Sequence, residues 1–253
     1  MKKYILTLIL ALASLGLYAQ TNRNKTIINA ALHGWEYEIK AGVNLGGTAP
    51  LPFPEEIRSI DGYNPTLSIT IEGNMTKWLD TKKKWGIITG LRLENKGMRT
   101  KATVKNYNME IIGYDGNRLK GNWTGGVRTK VQNSYITIPV LAAYKLSPRT
   151  TLKLGPYFSY LMDGDFSGHV YEGYLRETNP TGDKINFTNG AIATYDFSGD
   201  LRKFQWGVQA GVDWKAFKHL KVHADLNWGL NDIFNKDFKM YAIYLNVGFG
   251  YAF

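Results

Sequence analysis

The sequence predicts an all-β protein: an eight-stranded antiparallel transmembrane up-and-down β-barrel with long outer loops. Three observations carry this reading. Eight segments alternate apolar and small or polar residues with a period of two, and a strand turns that period into two chemically different faces. Each is near the ~9–11 residues that a tilted strand needs to cross a bilayer. The connections between them alternate short and long, as in barrels with short periplasmic turns and longer outer loops.

The segments run in order as follows. Tyr37, Ile39, Ala41, Val43 and Leu45 form the first apolar face, and Leu67, Ile69 and Ile71 the second. Trp85, Ile87, Thr89, Leu91 and Leu93 form the third, and Ile136, Ile138, Val140, Ala142 and Tyr144 the fourth. The fifth has Leu152, Leu154, Pro156, Phe158 and Tyr160, the sixth Phe204, Trp206, Val208, Ala210, Val212 and Trp214. Leu220 to Leu230 and Tyr241 to Phe253 supply the last two. Residues 77–84, 147–150 and 215–219 are short connections, 48–64, 98–133 and 163–203 long ones, and 232–239 intermediate. A soluble sandwich would also alternate. Here, however, the polar face is rich in glycine and the apolar face ends in Trp, Tyr and Phe, as an interfacial girdle does. Weak alternation at 103–112 and 191–197 predicts strands that continue beyond the membrane as a protruding sheet.

Composition narrows the chemistry. The 253 residues contain no cysteine, which excludes disulfides, thiolate metal sites and cysteine nucleophiles. Met1-Lys2-Lys3, an apolar run from Tyr4 to Leu17, and Leu17-Tyr18-Ala19 before Gln20 read as a secretory signal peptide over 1–19. A periplasmic segment over 20–35 and a barrel domain over 36–253 complete the organisation. The net charge of +10 falls to +8 without Lys2 and Lys3. No nucleophile elbow, phosphate loop or HExxH helix is present, so no catalytic, metal or cofactor site is expected; with no basic helix or RNP-type motif, no nucleic-acid partner is expected either.

Gly90-Leu91-Arg92-Leu93-Glu94-Asn95-Lys96-Gly97, Ile136-Thr137-Ile138-Pro139 and Leu154-Gly155-Pro156-Tyr157 resemble the PorT-like outer-membrane β-barrel family of the Bacteroidota. The resemblance covers about 37–253 without the long loops. It implies a barrel in the bacterial outer membrane, and for the family's founding member a part in a secretion system for surface proteins. Phe253 looks like the terminal aromatic read by the outer-membrane assembly machinery. Pro139 and Pro156 fall close together across a turn centred near Pro148, and a bulge is the expected accommodation.

Parity also assigns the lumen. Glu38, Lys40, Glu72, Arg92, Glu94, Lys96, Lys145, Lys153, Asp213, Lys221, His223 and Asp225 all point inward. An eight-strand barrel has room only for side chains, so a closed ionic network is expected, built on Arg92, Glu94, Asp213, Lys221, His223 and Asp225, with Asp213 paired to Lys221. The rival readings are a narrow passive channel and, through His223 and Asp225, a membrane-embedded hydrolase or acyltransferase. Outside the lumen, 98–133 holds seven cations against two carboxylates, and 163–203 seven carboxylates against four cations. Arg99, Lys101, Lys105, Arg128 and Lys130 are therefore candidates to contact lipopolysaccharide or a protein partner, or to pair with the acidic loop. The function expected is a non-enzymatic barrel that anchors or presents loops for protein interaction, as an accessory of a secretion apparatus; a porin-like channel is the alternative.

Overall fold

Inverted burial is the feature that organises this molecule. A computed structural model describes residues 34–80, 82–113, 116–235 and 239–253; the signal peptide expected over 1–19, and the expected periplasmic segment as far as residue 33, lie outside the described residues. On β3 (Ser68–Trp78) burial alternates from end to end, and it is the polar Thr70, Glu72, Asn74 and Thr76 that are buried while Ile69 and Ile71 are exposed. Leu93, Leu154 and Phe249 are 49%, 59% and 62% exposed, whereas Arg92, Lys153 and Asp225 are 1%, 3% and 1% exposed. In water, so continuous an apolar surface would be an aggregation site; in lipid it is the solvated face.

The remaining strands are β1 (Trp35–Pro50), β2 (Ile57–Pro65), β4 (Trp85–Ile112), β5 (Arg118–Lys145), β6 (Thr150–Glu177), β7 (Lys184–Asp196), β8 (Phe204–Lys215), β9 (Leu220–Gly229) and β10 (Met240–Ala252). Eight of them close a ring in the order β1, β3, β4, β5, β6, β8, β9, β10. The seam pairs β1 with β10 from Glu38↔Ala252 to Pro50↔Met240. Closure leaves no lipid-exposed edge, which a membrane-spanning sheet requires. All eight predicted segments are ring strands.

The proline prediction needs correction. The β5–β6 hairpin is centred on Pro148, as expected, and Pro139 stands opposite Tyr157. No bulge lies there: pairing resumes at Ala142↔Leu154 in the same register, and β4–β5 pairing skips Gly90 and Leu91 and continues in register at Thr89↔Val140. The ladder omits the bonds that proline cannot donate without adding a residue. The bulge falls higher, where Ser134↔Asp163 is followed by Tyr135↔Leu161 and Met162 is left over. It reverses the faces of β6, so that Phe166 and Val170 are buried above it.

The long connections are largely strand. β4, β5 and β6 each run 28 residues, about 17 more than a crossing needs. Above the apolar band β2 joins β4, and β7 joins β6 and touches β4 at Ile112↔Thr194. This is the protruding sheet expected from the weak alternation, with β2 unforeseen inside 48–64. Irregularities stack across it: the register shifts between Val104 and Tyr107 on β4, at Gly125/Gly126 on β5, and between Tyr171 and Gly173 on β6. Gly125 at φ 151° can take its conformation freely; Asn106 at 61° and Glu172 at 47° take the left-handed one. Such bulges bend and twist strands, and the tips fold over a core of Ile111, Trp123, Val170, Leu175 and Phe187, with Trp123 and Phe187 edge to face at 5.4 Å.

Candidate functional site: a filled lumen and a basic face

The lumen is filled in layers. At the turn end, buried Trp78, Ile88, Leu141 and Ala143 pack together, and the Lys145 ammonium lies 4.5 Å over the Trp78 ring. Beside them the Lys221 ammonium meets Glu36 at 2.6 Å and Glu38 at 3.2 Å. Next comes a two-cation, two-carboxylate group: Lys40 and Lys153 reach Asp213 at 3.1 and 2.6 Å, and Lys153 also reaches Asp225 at 2.7 Å.

The third layer centres on Arg92. Its guanidinium is ion-paired with Glu72 and donates to Gln209 at 2.8 Å and Asn227 at 3.2 Å. Glu94 lies 4.0 Å away, accepts from Thr137 at 2.7 Å and is paired with Lys96 at 3.1 Å. The Lys96 ammonium sits 5.2, 5.3 and 5.8 Å from the ring centres of Tyr135, Tyr157 and Tyr244. Above this cage, Leu201, Ile233 and Phe234 from the loops after β7 and β9 are buried against Met98, Val131, Leu161 and Met240. Leu201 and Phe234 form a bridge, and Arg202 donates to the carbonyls of Ile233 at 2.7 Å and Phe234 at 3.1 Å.

Each predicted luminal residue is inside, but one pairing is wrong. Asp213 stands opposite His223, and Lys221 opposite Lys215. Ala216 and Phe217 both donate to the Leu220 carbonyl, so the turn is centred at Lys218, one residue later than its apolar pattern implied. Lys221 is thereby carried toward Glu36 and Glu38, and Asp213 takes Lys40 and Lys153 instead. His223 is buried, with Nε2 2.8 Å from the Asn246 side-chain oxygen; the Asn246 amide donates on to Asn44 and Thr70. The amides Asn44, Gln209, Asn227 and Asn246 and the tyrosine cage carry no charge signal in the sequence, and only their inward parity could have found them.

Luminal glycines have a positive role. A Cβ at Gly211 would collide with the Asp225 carboxylate, and one at Gly250 with that of Glu38. These strands therefore leave room for charged side chains to lie flat across their neighbours.

The second arrangement is on the extension. Arg99 stands directly opposite Lys130, and Lys101 opposite Arg128. Register extends both rows: Asn64, Arg99, Lys130, Ser167, Asp196 and Gly62, Lys101, Arg128, His169, Thr194. Both rows line a cavity of about 920 Å³. The Arg128 guanidinium and Lys101 ammonium lie 5.0 and 5.5 Å from the centre of the Tyr171 ring. Burial, and then the Arg128 charge, push the His169 imidazole below its ordinary value. Among the described residues the alternative pairing of basic with acidic loop occurs once, at Lys130–Asp165, 2.8 Å. Among the described residues no carboxylate is within ion-pairing distance of Arg99, Lys101 or Arg128. Lys105 falls within the β4 register shift and does not line the cavity. Phe253 ends the chain exposed, its N–H donating to the Tyr37 carbonyl at 3.0 Å.

No curated protein matches the sequence. Among solved structures, Ail, the attachment invasion locus protein of Yersinia pestis, is 11% identical with a TM-score of 0.37, covering 87% of this chain and 97% of that one. OprG from Pseudomonas aeruginosa is 10% identical with a TM-score of 0.30, covering 86% and 95%. The protease OmpT from Escherichia coli is 12% identical with a TM-score of 0.33, covering 87% and 97%. Likeness at this level speaks to neither activity nor ligand. The family model for the outer membrane protein beta-barrel domain matches residues 18–235, and the chain belongs to that family, a protein of the bacterial outer membrane.

Proposed function

We propose that this protein is a sealed, non-enzymatic anchor whose extension is its working part, presented to a protein partner outside the membrane. The observation that supports this most is the contrast between a lumen filled from turn end to loop end and three 28-residue strands that continue past it. Short turns face the periplasm in such barrels, so the extension stands on the outer side. Among the described residues its strand β2 pairs with β4 alone, and an open edge can accept a partner's strand. A channel is disfavoured by the packed lumen. A hydrolase is disfavoured because His223 is buried and engaged by Asn246, whereas catalysis needs a base beside an accessible nucleophile. The resemblance to the PorT-like group makes the finer reading an accessory of protein secretion.

The test is to replace residues 99–130 by a short turn in the source bacterium. The shortened barrel should still assemble, seen as heat-modifiable migration, while secreted cargo accumulates in the periplasm as it does in a full deletion. Normal secretion in both strains would refute the secretion role; normal secretion in the shortened strain alone would refute the role of the extension.

A further inference from the structure

The two basic rows oppose the ordinary logic of a sheet. Like charges directly across a strand pair are destabilising, yet Arg99/Lys130 and Lys101/Arg128 form two such pairs side by side. Nearby carboxylates compensate only in part: Asp165 is committed to Lys130, Asp196 ends one row two strands away, and Asp61 accepts from Ser59 and Thr103 at 2.6 and 2.7 Å. An anion with several negative groups at strand spacing, ~4.8 Å, removes the repulsion.

The position of the rows says where that anion comes from. From Leu93↔Ile136 to Lys101↔Arg128 the β4–β5 register is unbroken, so the rows continue the lipid-facing face upward. Arg99 and Lys130 are each six residues past that last apolar pair, ~20 Å along the strand at ~3.4 Å per residue, or ~15 Å in height at a tilt of ~40°. The headgroup zone of a bilayer adds only ~5–7 Å on each side. A simple phospholipid falls short of the rows, whereas a lipid with a phosphorylated sugar headgroup reaches them. Arginine and lysine suit phosphate, and Arg128 and Lys101 share the face of the Tyr171 ring, 5.0 and 5.5 Å from its centre.

We infer that this face is a binding site for the phosphate groups of a lipopolysaccharide lying against the barrel, gripped by Arg99, Lys101, Arg128 and Lys130. This does not depend on the secretion reading. The full-length protein, reconstituted in phosphatidylcholine nanodiscs, is titrated with purified lipopolysaccharide, with the same material stripped of phosphate, and with inorganic polyphosphate. The combined variant Arg99→Gln, Lys101→Gln, Arg128→Gln, Lys130→Gln should bind intact lipopolysaccharide at least tenfold more weakly, and the stripped material should bind the unaltered protein that weakly too. With the repulsion gone, the variant should melt no lower than the unaltered protein in the absence of lipopolysaccharide. Arg128→Gln alone should lose severalfold, which keeps the test open if the combined variant misfolds; Lys105→Gln, outside the cavity, should lose nothing. Equal binding by the combined or single variant, equal binding of stripped lipopolysaccharide, or a Lys105→Gln loss as large as the combined one overturns the site. Displacement of lipopolysaccharide by polyphosphate at equal phosphate concentration overturns the lipid as its source.

Discussion

Arg92→Ala should cost this barrel about 3–5 kcal/mol, the ordinary consequence of removing one partner from a buried charge pair. The guanidinium is 1% exposed and is the only cation paired with Glu72 among the described residues. Without it Glu72 keeps one donor, the Asn74 amide, and Gln209 and Asn227 lose the N–H groups they now accept from. Nearby Glu94 retains Lys96 and Thr137, so the layer above should survive while the centre fails. Denaturant unfolding of the refolded protein, followed by tryptophan fluorescence, measures the loss. The double variant Arg92→Leu with Glu72→Leu should recover much of it, because replacing a whole buried pair by packed apolar groups is often neutral or better. A loss below about 1 kcal/mol for Arg92→Ala would mean that water reaches this layer, and the lumen would not be sealed.

Gly211→Ala should be nearly as damaging, although it adds only a methyl group. Its Cβ would overlap the Asp225 carboxylate and lie 2.9 Å from the Ala224 carbonyl oxygen. Asp225 cannot simply turn away, since it holds Lys153 at 2.7 Å. Overpacking alone costs ~1–3 kcal/mol, and loosening the buried pair raises the expected loss to about 3 kcal/mol or more. Gly73 provides the internal control: it faces the lipid side of β3, with nothing within 4 Å of its would-be Cβ. Gly73→Ala should change stability by less than about 0.5 kcal/mol. Equal effects at the two positions would show that strand glycines here serve backbone freedom rather than space for luminal charges.

Much of this was legible in the sequence, for a reason specific to barrels. A period of two survives intact wherever a strand faces lipid on one side and a packed lumen on the other, so Tyr37 to Leu45 or Tyr241 to Phe253 read directly as spanning strands. The signal fades at Tyr160 because Met162 is a bulged residue that exchanges the faces of β6, and β2 was missed because its exposure hardly alternates. The charges of the lumen were found by parity, but their partners were not. A one-residue shift of the β8–β9 turn is enough to give Asp213 to Lys40 and Lys153; Lys153 stands on the neighbouring ring strand β6, and Lys40 on β1 at the far end of the sequence. On the extension, the candidate cations were recognised from composition alone; that four of them stand in two directly opposed pairs is a fact of register.

The most direct test of the sealed-anchor reading is single-channel recording of the refolded, full-length protein in planar bilayers across a range of voltages. A lumen closed by Trp78 and its neighbours at one end, ion pairs in the middle and Leu201, Ile233 and Phe234 at the other should give insertions without stable open steps. Conductance steps of uniform size, present in most insertions and reduced by bulkier side chains at Gly211 or Gly250, would contradict it and make the protein a channel.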